Sequence, residues 1–127
     1  MIKYLTYDEV VLINKEVLKA VTVKKADKFE LLSRRKVTNV LEAVEKQKGD
    51  VINKAVVLLK GLVQEQSFAS GNRRTALVTA IKFLEINGRS ANFEHNPKFL
   101  QGIRENFYSD NEIHDWLLGG EMREFKR

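Results

Sequence analysis

The chain has 127 residues and is 43% apolar, which suits one domain around one hydrophobic core. It holds no cysteine, and its two histidines, His95 and His114, have no metal-ligand spacing, so a disulfide framework, a thiolate metal site and a histidine metal cluster are excluded. Lys plus Arg number 22 against 17 Asp plus Glu, a net charge of +5. That balance favours anionic partners such as nucleotides, nucleic acid or an acidic protein, although the dispersal of the basic residues equally fits a solvated helical surface.

A single proline, Pro97, and seven scattered glycines favour long helices, and the expected fold is all-α, a single-domain bundle of about six helices. Thr6 with Glu9 forms a capping box ahead of the apolar positions Val10, Val11, Ile13, Val17 and Leu18, which predicts a first helix over about 7–20. The N-terminus reaches Asp8 and Glu9 before any leader-like apolar core forms, and no apolar run approaches a bilayer-spanning length, so a cytoplasmic protein with no membrane partner is expected. Val21-Thr22-Val23-Lys24 alternates too briefly to be more than a short extended segment or flap. A second helix is predicted over about 29–46, with Val37, Val40, Leu41 and Val44 as its apolar stripe.

The next two segments differ in kind. From the cap residue Asp50 through Gln66, apolar residues cover almost the whole helix circumference. They dominate again from Asn72 to Asn87, where Thr75, Thr79, Lys82 and Glu85 form one narrow polar stripe ahead of Gly88. Helices apolar nearly all round are buried ones, so these two form the centre of the bundle. Asn96-Pro97 starts a fifth helix, carrying Phe99, Leu100, Ile103 and Phe107. Ser109 with Glu112 starts a last helix, followed by a basic tail from Met122 to Arg127.

The two central helices are joined through Phe68-Ala69-Ser70-Gly71-Asn72-Arg73-Arg74-Thr75. Two arginines in a first helical turn oppose the macrodipole by roughly 0.3 to 1 kcal/mol each, so they call for compensation. A bound phosphate supplies it: glycine permits close approach, free N–H groups point at the anion, and a guanidinium grips it bidentately. An ordinary helix start, with Arg74 paired to a carboxylate such as Glu65, accounts for the same residues.

In register, Phe68, Gly71, Asn72, Arg74, Thr75 and Ala76 match the pattern His-x-Phe-x-(Asp/Glu)-(Gly/Ala)-Asn-x-Arg-Thr-Ala. The run AIKFLEING from Ala80 to Gly88 and the opening YLTYDEVVLINKEVL extend the likeness over roughly half the chain. On these residues the chain resembles the Fic/Doc (death-on-curing) family, and its Doc-type members in particular. The resemblance implies a helical fold whose turn binds the phosphates of ATP or another nucleotide, usually with Mg²⁺. Family members transfer AMP or a phosphate to a protein hydroxyl, and Doc toxins are neutralised by an antitoxin partner. Gly71, Asn72 and Arg73 then belong to the phosphate site, Arg74 holds the distal phosphates, and Phe68 anchors the loop in the core.

Two positions depart from the pattern. The family's catalytic histidine falls on Gln66, which has no titratable nitrogen, and the loss of a positioned base removes about 10²- to 10⁴-fold in rate. Its acidic metal ligand falls on Ser70, so no metal residue is assigned and Mg²⁺ is not expected to bind as in the family. Glu65 sits about 100° round a helix from Gln66 and cannot replace the histidine. His95 reads as a loop residue and His114 as a surface residue. Ser90 to His95 approaches the family's self-inhibitory motif but ends in histidine with Pro97 close behind, a coincidence. The expectation is a Doc-like nucleotide- or partner-binding module without the usual transfer chemistry. Alternatives are an active transferase with an unconventional base, and a nucleic-acid binder using Arg34, Arg35, Lys36 and the tail.

Overall fold

A computed structural model describes residues 1–20, 29–91, 93 and 96–126. Among them lie six helices: α1 (Tyr7–Ala20), α2 (Arg34–Lys46), α3 (Val51–Glu65), α4 (Asn72–Ile86), α5 (Pro97–Arg104) and α6 (Asp110–Leu117). The all-α expectation is thereby met, and no helix among the described residues is long and apolar enough to cross a membrane. The expected extended segment at Val21–Lys24 lies outside the described residues, as do Asn92, Glu94 and His95.

Local chemistry sets most helix starts. Thr6 and Glu9 exchange the two bonds of a capping box, Thr6 N to Glu9 Oε1 at 3.0 Å and Glu9 N to Thr6 Oγ1 at 3.2 Å, which satisfies N–H groups that α1 cannot bond internally. Asp50 does the same for α3 with Asn53 as its partner, and Ser109 for α6 with Glu112. Asn96 caps α5 by accepting from Lys98 N, and Pro97 occupies the first turn, where its missing N–H costs nothing.

The second helix begins later than its periodicity predicts. Ser33 is its cap, accepting from Lys36 N at 3.2 Å, and the chain before it is extended. Leu32 N and Ser33 N both donate to Ser67 O, at 2.8 and 3.1 Å, and Ala69 N donates to Glu30 O at 2.9 Å, with Leu31 and Phe68 as a single antiparallel bridge. These bonds satisfy the backbone of the turn after α3, and they draw residues 29–33 out of the helix.

The core is built on α3 and α4. α3 buries Ile52, Ala55, Val56, Leu58, Leu59, Leu62 and Val63, and α4 buries Ala76, Leu77, Ala80, Phe83 and Leu84. α3 packs against α2, α4, α5 and α6, and α1 covers the far side of α4. The polar stripe expected on α4 is only half solvated: Lys82 and Glu85 are exposed, but Thr75 and Thr79 are buried.

Lys54, on the largely apolar α3, is also buried. Its Nζ donates to Val44 O and Glu45 O, both at 3.1 Å, and to Gln47 O at 2.6 Å, so its three donors close the C-terminus of α2, where carbonyls lack helical partners. At the other end of the bundle, Gln64 Nε2 donates to Ile103 O at 3.0 Å and fixes α5 on α3. A Cβ at Gly102 would collide with the Tyr108 ring, and Tyr108 in turn donates its hydroxyl to Arg123 O at 2.9 Å. As far as it is described, through Lys126, the expected basic tail is therefore a strap. Phe125 is buried, and Arg123 lies 3.8 Å from the Phe107 centroid with Nε 2.6 Å from Glu112 Oε2.

The hydrogen bond from Arg123, followed by the Ser109 backbone, holds the Glu112 carboxyl at about 2, down from 4.5. A carboxyl depressed on folding stabilises the native state above its unfolded value and loses that effect as pH falls through the folded one. Stability is therefore expected to fall between about pH 4.5 and 2, and Glu112→Gln should flatten that acid limb in equilibrium unfolding. Replacing the buried ammonium by Lys54→Met keeps the stem but abandons three carbonyls. It is expected to cost about 2–3 kcal/mol in denaturant unfolding.

Candidate anion-binding site

The turn between α3 and α4 bears left-handed residues at both ends. Gln66 closes α3 with φ 49° and Gly71 precedes α4 with φ 75°. A non-glycine residue held left-handed costs about 1–2 kcal/mol, so the surroundings of Gln66 must hold it there. Gly71 is confined as well as twisted. A Cβ there would stand 3.2 Å from Leu18 Cδ2 and 3.4 Å from Asn14 Nδ2.

Three contacts brace this turn. Phe68 is buried in the core, as expected of the loop anchor. Asn72 Oδ1 accepts from Phe68 N at 3.0 Å and its Nδ2 donates to Phe68 O at 2.7 Å. Its amide is thus committed to the loop, and what Asn72 offers an anion is backbone. Asn14, fully buried on α1, donates to Ser70 O at 3.0 Å and Thr75 Oγ1 at 2.9 Å. Asn14 was not anticipated from the sequence. The available signal was one polar residue inside the α1 stripe of Val10, Ile13 and Val17.

No side chain caps the N-terminus of α4, and the first backbone bond of the helix is Thr75 N to Gly71 O at 2.8 Å. The N–H groups before Thr75 lie at the positive end of the macrodipole, and Arg73 and Arg74 are both exposed beside them. Neither arginine forms an ion pair among the described residues, so the pairing of Arg74 with Glu65 is absent. Gln66, Ala69, Ser70, Gly71, Asn72, Arg73 and Arg74 line one wall of a cleft of about 430 Å³, and Pro97, Leu100 and Arg104 of α5 line the other.

Arg104 is the second residue that sequence reasoning missed. Nothing near it in the chain marks it, because it reaches the turn only through the packing of α5 on α3. With the Gln66 amide oriented as its hydrogen bonding requires, the oxygen accepts from Arg104 Nε at 2.6 Å and Nη2 at 2.9 Å. Among the described residues, the cleft lining therefore gathers three guanidinium groups and no carboxylate. Ser70 Oγ is neutral, and no group of three or more metal-ligating side chains occurs among the described residues. Such a lining suits phosphate oxygens and offers a hard divalent cation no charged ligand.

The remaining candidates lie elsewhere. His114 is half-buried on α6, 3.5 Å from Asp115 Oδ1, and like Glu65 does not line the cleft. Arg34 stacks 4.4 Å from the Tyr7 centroid. Because Asn14 ties the turn to α1, Asn14→Ala leaves Ser70 O and Thr75 Oγ1 short of a donor. The variant is expected to lose about 1–3 kcal/mol in denaturant unfolding.

Compared with known proteins, the chain matches no family model and no curated protein sequence.

Proposed function

We propose that this chain is a Fic/Doc-like protein that keeps a nucleotide-phosphate-binding turn, has lost the usual AMP or phosphate transfer, and serves as a nucleotide- or partner-binding module. The observation that supports this most is the uncapped N-terminus of α4 opening, with Arg73 and Arg74, into a cleft whose described lining residues include no carboxylate. Backbone N–H groups would receive one phosphate, and Arg74 a neighbouring one through a bidentate grip. Transfer further needs a base for the incoming hydroxyl and a metal held against the phosphates. Gln66 supplies neither proton acceptance at neutral pH nor charge. Ser70 offers the metal no carboxylate, and its carbonyl is already engaged by Asn14.

An antitoxin or protein target fits the same reading as a partner. Nucleic acid is less well supported, because Arg34 stacks on Tyr7 and Arg123 is bound to Glu112.

The test is transfer from radiolabelled ATP in cell lysate, paired with calorimetric titration of ATP. Wild type should bind ATP and label nothing. Arg74→Ala should weaken binding by about ten-fold. Gln66→His combined with Ser70→Asp should raise labelling above either single change, since each supplies one requirement that the other lacks. Strong wild-type labelling that disappears in Gln66→Ala would overturn the inactive reading. Unaltered ATP affinity in Arg74→Ala would show that the arginine takes no part in binding.

A further inference from the structure

The α5 wall of the cleft carries a charge that the turn motif does not explain. Arg104 ends α5, where a cation is favoured by the helix dipole, yet its guanidinium is directed to Gln66 at the mouth of the turn rather than to a carboxylate. A guanidinium has five N–H donors. Gln66 engages those on Nε and Nη2, which leaves the Nη1 pair and one Nη2 donor. The choice of partner matters. A carboxylate at position 66 would orient Arg104 but cancel its charge, and an imidazole nitrogen would accept only one bond. A neutral amide oxygen accepts two and leaves the full positive charge in the cleft.

Three guanidiniums on two elements, with no ion-pair partner among the described residues, repel one another in a shared cleft, so the arrangement is suited to an anion with several charged oxygens. Its extent matters too. Arg73 and Arg74 stand at the start of α4 and Arg104 at the end of α5, on different walls, which fits a chain of phosphates better than a single one. In metal-dependent phosphate sites a divalent cation neutralises such a chain. Here the described lining residues give that cation no carboxylate and surround it with like charge.

We propose that Arg104, positioned by Gln66, is a third phosphate-binding residue, and that with it the cleft binds the polyphosphate chain of a nucleotide without a divalent cation. This rests on the phosphate-binding reading of the turn. Gln66 is then a positioning residue: at the place of the family's base, it holds a cation that does the work of the missing metal. The left-handed backbone at Gln66 is the cost of placing a side chain there.

The experiment is calorimetric titration of the full chain with ATP, inorganic tripolyphosphate and inorganic phosphate, each with EDTA and with excess Mg²⁺. Wild type is expected to bind ATP and tripolyphosphate at least as tightly in EDTA as in Mg²⁺, because the metal competes with the guanidiniums for oxygens. Arg104→Ala should weaken both about ten-fold and inorganic phosphate far less, with Arg104→Lys between. Gln66→Gly removes the strained φ, so its melting temperature should not fall, yet its ATP affinity should drop several-fold. Gln66→Glu should weaken ATP further by cancelling the Arg104 charge.

Unchanged ATP affinity in Arg104→Ala, while Arg74→Ala loses it, overturns this inference and leaves the turn's role standing. ATP binding that requires Mg²⁺ overturns the metal-free mode alone. Failure of the wild type to bind any of the three anions overturns the phosphate-binding reading itself.

Discussion

Reversing the chain between two buried helices is the constraint on which the rest of this molecule depends. α3 and α4 bury apolar residues around most of their circumference, and the connection across residues 66–71 passes through buried Ser67 and Phe68, whose backbone groups need partners within the protein. It enters and leaves through left-handed residues, Gln66 and Gly71. Backbone groups of Ser67, Phe68, Ala69 and Ser70 find partners from three directions: the extended strip at residues 30–33, the Asn72 amide, and Asn14 on α1. Each brace serves the fold first. Together they present the start of α4 to the cleft with its N–H groups uncapped, and the helix start becomes chemically available because the turn's other groups are occupied.

The charge of the cleft follows from what the braces exclude. A helix start usually receives an acidic or hydroxyl cap. Here glycine stands at the cap position and two arginines follow it, so the macrodipole and the side chains carry the same sign. Arg104 adds to that excess, and Gln66 orders it without relieving it. This is an arrangement of low intrinsic stability kept by strong surroundings. The supports lie away from the cleft: Lys54 closes α2 and stacks 5.5 Å from Tyr4, while Gln64 and the Tyr108–Arg123 strap hold α5 in place. Like charge is concentrated at the proposed site, while α1, α2, α3, α5 and α6 begin with side-chain caps.

The same substitutions bear on chemistry and on binding. On the proposed reading, glutamine at the place of the family's base would remove proton transfer, while its oxygen is the acceptor that holds Arg104. Serine at the place of the family's metal ligand would remove the cation, and a guanidinium would stand where a positive charge is then wanted. On the proposed reading these are linked changes, in which a site for metal-assisted transfer becomes a site for holding an anion.

What the sequence by itself determined is much of what is decided within a few residues. The caps at Thr6, Asp50, Asn96 and Ser109 act across two or three positions, so they are legible as short patterns, and the burial of α3 and α4 is legible from apolar residues on every face. Gly71, Arg73 and Arg74 could be singled out because the turn is contiguous. Tertiary structure decided the rest, where the partner lies far along the chain. Residues 29–33 have a helix-compatible pattern, and they are extended because Ser67 and Ala69 supply bonds that a helix would otherwise make internally. Thr75 reads as part of a solvated stripe until Asn14, 61 positions away, covers it. Nothing local marks Lys54, which is buried where the end of α2 supplies its acceptors, or Arg104, which reaches the turn only because α5 packs on α3. A local pattern records propensity, and only packing assigns a buried polar group its partner.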